Sequence, residues 1–481
     1  MEPTNQQKPG FARAVGLLET SSTSRHSLGF YRGVAQTARY HVPASASQEK
    51  PLKLTIEHAV AQAILAHPIL QVGIRDEHTK EPYFVHLPTL DLSQIVRWVD
   101  IDPAADNDSI LCRVLEDRHS NLWPDLAHRP GYEVILLAPK DSPSSGFTLD
   151  MVFSWHHALG DGTSGTIFHQ TLLQALNDPS PVPSFSPTTH TLTLTPTPLL
   201  PSQESLFKFP LSWTFFLKTL WTEFAPSFLR PAVETPWTGA PITPDHNTTH
   251  IRLLTIPAAT LTSLLREVKS HSVTLTPLIH ILVLRSLSLR LPPSAFTSST
   301  PISLRRLLPP TGAVNPRTAM GVYLAVQSHT FPSTTAQLLR SDPTNHNQLW
   351  SLTTQLSTSL KQKVSSLPAD DLVGLLPYIT DPHKRWLGKV GQARETTWEV
   401  SNVGAVEMEA EGGWRVDRMV FSQSGNVAGN AFGVNVAAVR GGELAVTLSW
   451  QEGIVGGGGR DGVRGDLEGW LTGLAEGRGL V

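Results

Sequence analysis

The sequence predicts a mixed α/β protein made of two similar halves, and three observations carry that prediction. Strand-like and helix-like apolar patterns alternate on both sides of the middle of the chain. A stretch dominated by Pro, Ser and Thr separates the two regions. The length, 481 residues, suits two to three domains at roughly 150 residues each. The expected division is therefore a first subdomain over 1–177, a crossover over 178–245 and a second subdomain over 246–481. Only 16% of residues are charged, against roughly 25% in an average soluble chain. Yet 40% are hydrophobic, so disorder is excluded for most of the length. Lys and Arg number 38 against 41 Asp and Glu, a net charge of −3, which gives no electrostatic warrant for nucleic-acid binding or a polybasic membrane tether.

In the first half, Leu52, Ile56, Val60 and Ile64 fall four apart and predict a core-facing helix over 51–67. It should end at His67-Pro68, because the residue before proline avoids the α region. Two apolar runs, Tyr132–Pro139 and Phe147–Trp155, flank a Pro/Ser/Gly stretch and read as a hairpin. In the second run Phe147, Leu149, Met151, Phe153 and Trp155 alternate with more polar residues, so one face should be buried more than the other. A short glycine-containing turn follows. Helical spacing then resumes at Ile167, Phe168, Leu172, Leu173 and Leu176, with Asp161 or Thr163 available as N-cap.

The crossover is too poor in periodic apolar residues over 179–201 to promise a core element. Further on, Trp213, Phe216, Leu217, Leu220, Trp221 and Phe224 form an aromatic stripe on a helix of about three turns. A helix packed on its own domain accounts for the stripe, and so does peripheral contact with a membrane through 213–224. The second half opens with a strand at Ile251–Ile256 and a helix at Thr276–Arg290, where Thr276 suits the N-cap and Pro277 the first turn. A short apolar run at Met419–Phe421 precedes strands at Phe432–Val439 and Leu444–Trp450, joined by a turn at 440–443. The Gly456–Gly459 run and Gly388-Lys389 lack the residues of a phosphate loop and read as surface loops.

One cysteine, Cys112, in an apolar run, removes disulfide frameworks and zinc ribbons and reads as a buried structural thiol. The N-terminal MEPTNQQKPG has no signal-peptide pattern, and no run is long enough to span a bilayer. A cytoplasmic protein is expected.

The chemistry concentrates in His156-His157-Ala158-Leu159-Gly160-Asp161-Gly162. It lies at the end of a buried strand and before a helix, where side chains are held rigidly and can face a crevice. A neutral imidazole can take a proton from a hydroxyl or amine near pH 7. Asp161, four residues on through two glycines, is better suited to fixing the loop by capping backbone N–H groups or pairing with an arginine. No nucleophile elbow is present, so direct attack of an acceptor on a bound acyl donor fits better than a covalent acyl-enzyme.

These seven residues match the HHxxxDG signature, and the chain resembles the chloramphenicol acetyltransferase-like superfamily, which includes peptide-synthetase condensation domains. Weaker strings, His67-Pro68-Ile69-Leu70, Trp237-Thr238-Gly239-Ala240-Pro241, Ser401-Asn402-Val403-Gly404 and Phe421-Ser422-Gln423-Ser424, are similar to the fungal alcohol acetyltransferases. Where plant members carry DFGWG, this chain has Asn430-Ala431-Phe432-Gly433-Val434, which argues against the plant branch. The resemblance implies two chloramphenicol-acetyltransferase-like subdomains, each a mixed sheet with helices, and an active-site tunnel between them. It implies His157 as general base, His156 in support and a structural Asp161 held by an arginine of the second half, for which Arg305 is the candidate. For the oxyanion or acceptor contacts, Ser401, Asn402 and Ser422 are the candidates.

The implied activity is CoA-dependent O-acyl transfer, acetyl first, to a small-molecule alcohol in secondary metabolism. Acetyl-CoA would be the co-substrate, with no permanently bound cofactor and no metal, and the protein would act as a monomer. The alternatives are a stand-alone condensation-type enzyme using a carrier-bound donor and a non-catalytic lipid- or partner-binding module.

Overall fold

The computed structural model describes residues 8–44, 46, 51–102, 104–140, 146–206, 208–224, 234–244, 248–308, 315, 317–408 and 411–480. Two large sheets organise the chain. The first runs Arg415–Gln423, Val34–Val42, Phe147–Trp155, Tyr132–Pro139, Val96–Ile101. The second runs Thr249–Ile256, Leu444–Gln451, Asn430–Val439, Thr396–Val406, Phe296–Ser303, Leu324–Phe331. Both mix parallel and antiparallel neighbours. The fold is the mixed α/β architecture expected, with one exchange: Arg415–Gln423 comes from the second half of the chain but pairs with Val34–Val42 in the first sheet, Phe421 opposite Gln36.

The hairpin forms with Leu136 opposite Met151, and its connecting residues 141–145 lie outside the described ones. Phe147–Trp155 is buried on both faces, apart from Thr148, rather than mainly on one. Its polar members are satisfied internally: Asp150 pairs with Arg39 at 2.8 Å, and Ser154 Oγ donates to Val34 O at 3.3 Å. Behind the strand, Phe153 stacks between Trp155 and Phe168, with ring centroids 4.8 and 3.9 Å away. The Leu52–Ala66 helix buries Ile56, Val60 and Ile64 and ends at His67.

Several elements differ from expectation for readable reasons. The helix of the second half spans Leu275–Arg290, beginning one residue before the Thr276 expected, and its N-cap is Thr274, two residues before the N-cap expected. The Thr276 hydroxyl instead accepts from Asn402 Nδ2 at 3.0 Å. The glycine run is not a loop: residues 457–475 are helical, drawn in by Val463, Leu467, Trp470, Leu471 and Leu474, all buried in the second core. Within the crossover, Phe185–Ser186 and Thr191–Thr193 make a small sheet with Thr89–Asp91, because Phe185 and Leu192 find cover on the first core. Cys112 is half-buried rather than enclosed, and burial still pushes its thiol up to about 11.

The Trp213–Phe224 helix forms over the expected residues, and the side chains of Leu220 and Phe224 in its stripe lie outside the described ones. Phe216 meets Tyr378 at 5.7 Å, whereas Trp213, Leu217 and Trp221, four apart, are exposed. Among the described residues no single helix is long and apolar enough to cross a membrane. The helices Ala258–Ser270 and Leu275–Arg290 pass such a test only as a pair bent by 95°, and the second is a buried core helix.

Candidate active site

The Phe147–Trp155 strand ends where His156 N donates to Gly131 O at 2.7 Å, and the turn closes as Leu159 N donates to His156 O at 2.9 Å. Trp155 Nε1 ties the turn down through Gly160 O at 2.8 Å. Asp161 caps the Gly162–Asn177 helix, its Oδ1 accepting from Ser164 N at 3.2 Å. Gly162 is required by a close approach: a Cβ there would lie 2.7 Å from Val403 Cγ1 and 3.1 Å from Phe421 Cζ.

Asp161 also reaches into the second half. Its Oδ2 accepts from Arg305 Nη1 at 2.6 Å and from Tyr323 N at 3.0 Å. Arg305 Nη2 donates to Ser164 Oγ at 3.0 Å and Gly321 O at 2.9 Å. Both side chains of the ion pair are about 5% exposed, so the clamp works without solvent screening. Asp161 and Arg305, 144 residues apart, thereby join the signature turn to the second half.

His156 and His157 face opposite ways. His156 Nδ1 accepts from Ala158 N at 3.0 Å, which leaves Nε2 to donate to Glu77 Oε1 at 3.0 Å. His26 mirrors it: Nε2 accepts from Trp123 N at 3.0 Å and Nδ1 donates to the same carboxylate at 2.8 Å. Burial opposes charge on Glu77, but these two hydrogen bonds outweigh it and hold its carboxyl at about 2. The three residues converge closely enough to suggest a metal site. The backbone donors speak against that reading, because they take the lone pair of each imidazole and turn its N–H, not its lone pair, toward the carboxylate. The group is a hydrogen-bonded brace beneath the signature turn.

His157 instead lines a cavity of about 260 Å³ between the two halves, together with Tyr31, Ser401, Asn402, Phe421 and Gln423. Its Nδ1 is buried with no hydrogen-bond partner beyond the pull of its own carbonyl oxygen. Burial, and after it the charge of Arg25, lowers the ring to about 4, so the imidazole is neutral at pH 7. The Tyr31 ring stands 5.6 Å from it. A second cavity of about 530 Å³ shares Leu18, Arg25, Leu324, Val326, Glu399 and Asn426 with the first and prolongs it.

Of the sequence candidates, His157, Asp161, Ser401 and Asn402 lie on the cavity wall, with Arg305 behind Asp161. Ser422 does not. It sits between Phe421 and Gln423, which face the cavity, so strand alternation turns it to the other side, where its hydroxyl meets His119 Nε2 at 3.0 Å. Its candidacy as an oxyanion or acceptor contact is corrected accordingly. Asn402 sits at a bulge, where the register between Thr396–Val406 and Asn430–Val439 shifts between Asn402 and Ala405. Its Oδ1 accepts from the N–H of Gly404, which has the left-handed φ of 86° that favours glycine. Sequence reasoning missed Tyr31, Arg25, Glu77 and Glu399. Their only signal was placement, since none stands in a recognisable local pattern.

The alcohol acetyltransferase family model matches residues 14–457. The chain is 31% identical over 479 residues to a probable alcohol acetyltransferase, FCK4, of Fusarium pseudograminearum (strain CS3096), covering 97% of this chain and 96% of that protein. It is 27% identical over 466 residues to the probable alcohol acetyltransferase crmB of Aspergillus fumigatus, covering 92% and 95%. Among solved structures, the TRI3 trichothecene 15-O-acetyltransferase of Fusarium sporotrichioides superposes with a TM-score of 0.70 at 14% identity, covering 96% and 95%. The first condensation domain of the CDA synthetase gives 0.61 at 14% identity, covering 96% of each chain. These likenesses show the fold, the one seen in that O-acetyltransferase and in the condensation domain. The protein is an acyltransferase, and the chain belongs to the alcohol acetyltransferase family.

Proposed function

We propose that the protein transfers an acyl group, acetyl first, from acyl-CoA to the hydroxyl of a small molecule, with His157 as general base, and that it does so in secondary metabolism. The observation that carries this reading is a neutral imidazole on the wall of a cavity between the halves, its Nδ1 buried against its own carbonyl. That arrangement favours the tautomer with the proton on Nδ1 and leaves the Nε2 lone pair for the acceptor. The acceptor O–H gives its proton to Nε2 as its oxygen attacks the thioester carbonyl. The tetrahedral intermediate then collapses with cleavage of the C–S bond, and the departing thiolate takes the proton back from His157. The step needs an oxyanion donor about 3 Å from the carbonyl oxygen. Asn402 gives one of its two N–H groups to Thr276 and keeps the other, so Ser401 and Asn402 both stand as donors on the cavity wall.

Asp161 does not act on substrate in this scheme. Together with Arg305, and with His156 on the Glu77 brace, it holds the turn that presents His157. The same reading takes the protein as a cytoplasmic monomer that touches lipid surfaces through Trp213, Leu217 and Trp221, residues with the amphipathic rings and apolar bulk suited to a headgroup layer. Flotation with phosphatidylcholine vesicles, lost when both tryptophans are changed to serine, tests that contact. The activity itself is tested by incubating the purified protein with acetyl-CoA and a panel of alcohols and amines and weighing the products by mass spectrometry. An acetyl ester with stoichiometric release of CoA is expected. An acetamide alone, or no product from free acetyl-CoA, contradicts the reading.

A further inference from the structure

Arg25 brings a charge to the cavity wall without an ion-pair partner among the described residues, although Glu399 lines the same wall. It stands in the Leu17–Ser27 helix and lines both the cavity that holds His157 and the one that prolongs it. Its Nε donates to Ser21 O at 3.1 Å, and its Cζ lies 4.8 Å from the Tyr31 ring and 5.6 Å from the Trp386 ring. Among the described residues no carboxylate forms an ion pair with it. The acids that act on it are Glu395 and Glu399. Glu395 is engaged by Lys389. Glu399 accepts from Ser299 Oγ at 3.3 Å and Gln423 Nε2 at 3.2 Å, and burial still pushes its carboxyl toward the neutral form. The guanidinium is thus braced by two aromatic faces on the wall of both cavities, and among the described residues its terminal nitrogens have no hydrogen-bond partner.

An unpaired cation taken out of bulk water is costly, and its natural complement is an anion that arrives with a ligand. A planar guanidinium matches a carboxylate or phosphate through two parallel hydrogen bonds. The phosphates of an acyl-CoA are separated from the reacting carbonyl by the whole pantetheine arm. Arg25 is separated from His157 by one ring, Tyr31, 5.6 Å from the base. An anion at Arg25 therefore belongs to the molecule whose hydroxyl His157 activates. Leu18, Val322, Leu324, Val326 and Phe421 give the same wall an apolar stretch, beside polar groups that include Glu399. We propose that Arg25 is a specificity-determining residue that selects hydroxylated acceptors with an apolar body and a carboxylate, which it binds through its terminal nitrogens. This inference rests on the acyl-transfer reading and narrows its substrate class.

The test compares 4-(hydroxymethyl)benzoate with its methyl ester as acceptors of acetyl from acetyl-CoA. The wild type is expected to favour the carboxylate in kcat/KM by about tenfold or more, the worth of one charge-assisted contact. Arg25→Gln should bring the ratio to about one, and Arg25→Lys should keep part of the preference. Binding of benzoate, followed by calorimetry without turnover, should be present in the wild type and absent in Arg25→Gln protein whose thermal unfolding matches the wild type. Equal use of acid and ester by the wild type, a ratio unmoved by Arg25→Gln, or benzoate bound equally by both proteins would overturn the proposal. Should no alcohol accept acetyl, the acyl-transfer reading fails while the benzoate arm still decides whether Arg25 holds a carboxylate.

Discussion

At the scale of single residues, the site depends on keeping one imidazole neutral and one carboxylate clamped. Burial and the Arg25 charge lower His157 to about 4. A base works in its unprotonated form, so kcat/KM should hold steady as pH falls through 6.5 and decline only toward 4. Arg25→Gln removes the second cause, and the acid limb of a pH–rate profile should then move upward. For the clamp, Asp161→Ala and Arg305→Ala should each destabilise by about 3–5 kcal/mol, since each strands a buried charge. The double variant should cost little more than either single one in a denaturant titration. Additive losses would mean that the two do not act as a pair. Much of this was legible in the chain: the histidine pair and the aspartate four residues on stood in a recognisable string, and the resemblance it carries asked for an arginine from the second half. Arg25, Tyr31 and Glu399 were not, because a residue becomes a cavity wall only through the packing of elements distant in sequence.

At the scale of elements, alternation and close approach decide which side chains reach the cavity. The Phe421-Ser422-Gln423 string marked the right strand, but only its pairing fixes the face, and that face offers Phe421 and Gln423 while turning Ser422 to His119. Periodicity located the Leu52–Ala66 and Gly162–Asn177 helices well, since each has a dominant apolar stripe. It failed for 457–475, where glycines mask a helix whose apolar residues come later. The tightest contact between signature turn and second half is at Gly162, so Gly162→Ala must push Val403 and Phe421 aside. Overpacking of this kind costs about 1–3 kcal/mol. A fall in midpoint of that size, with a larger proportional loss of turnover, is the expected outcome; unchanged stability and activity would show that the interface has slack.

At the scale of the whole molecule, the two halves are not separable. The Arg415–Gln423 strand forms an edge of the first sheet while its chain neighbours build the second. A fragment ending at residue 245 lacks that strand and should fail to fold alone, judged by the loss of protected amides across Val34–Val42. The molecule also buries several uncharged histidines: His26, His157 and His169 lowered to about 4, His119 to about 3, and His280 well below its ordinary value, all by burial first. Between about 4 and 6.5 the unfolded chain binds protons that the folded chain does not, so stability should fall as pH drops through that window. Denaturant midpoints at pH 7 and pH 5 check the sign. The central claim, that His157 removes the acceptor proton, is tested most directly by the turnover of His157→Ala with acetyl-CoA and an alcohol that the wild type acetylates. Turnover should drop by about two to four orders of magnitude with acetyl-CoA binding preserved, whereas turnover kept within about a factor of ten would contradict it.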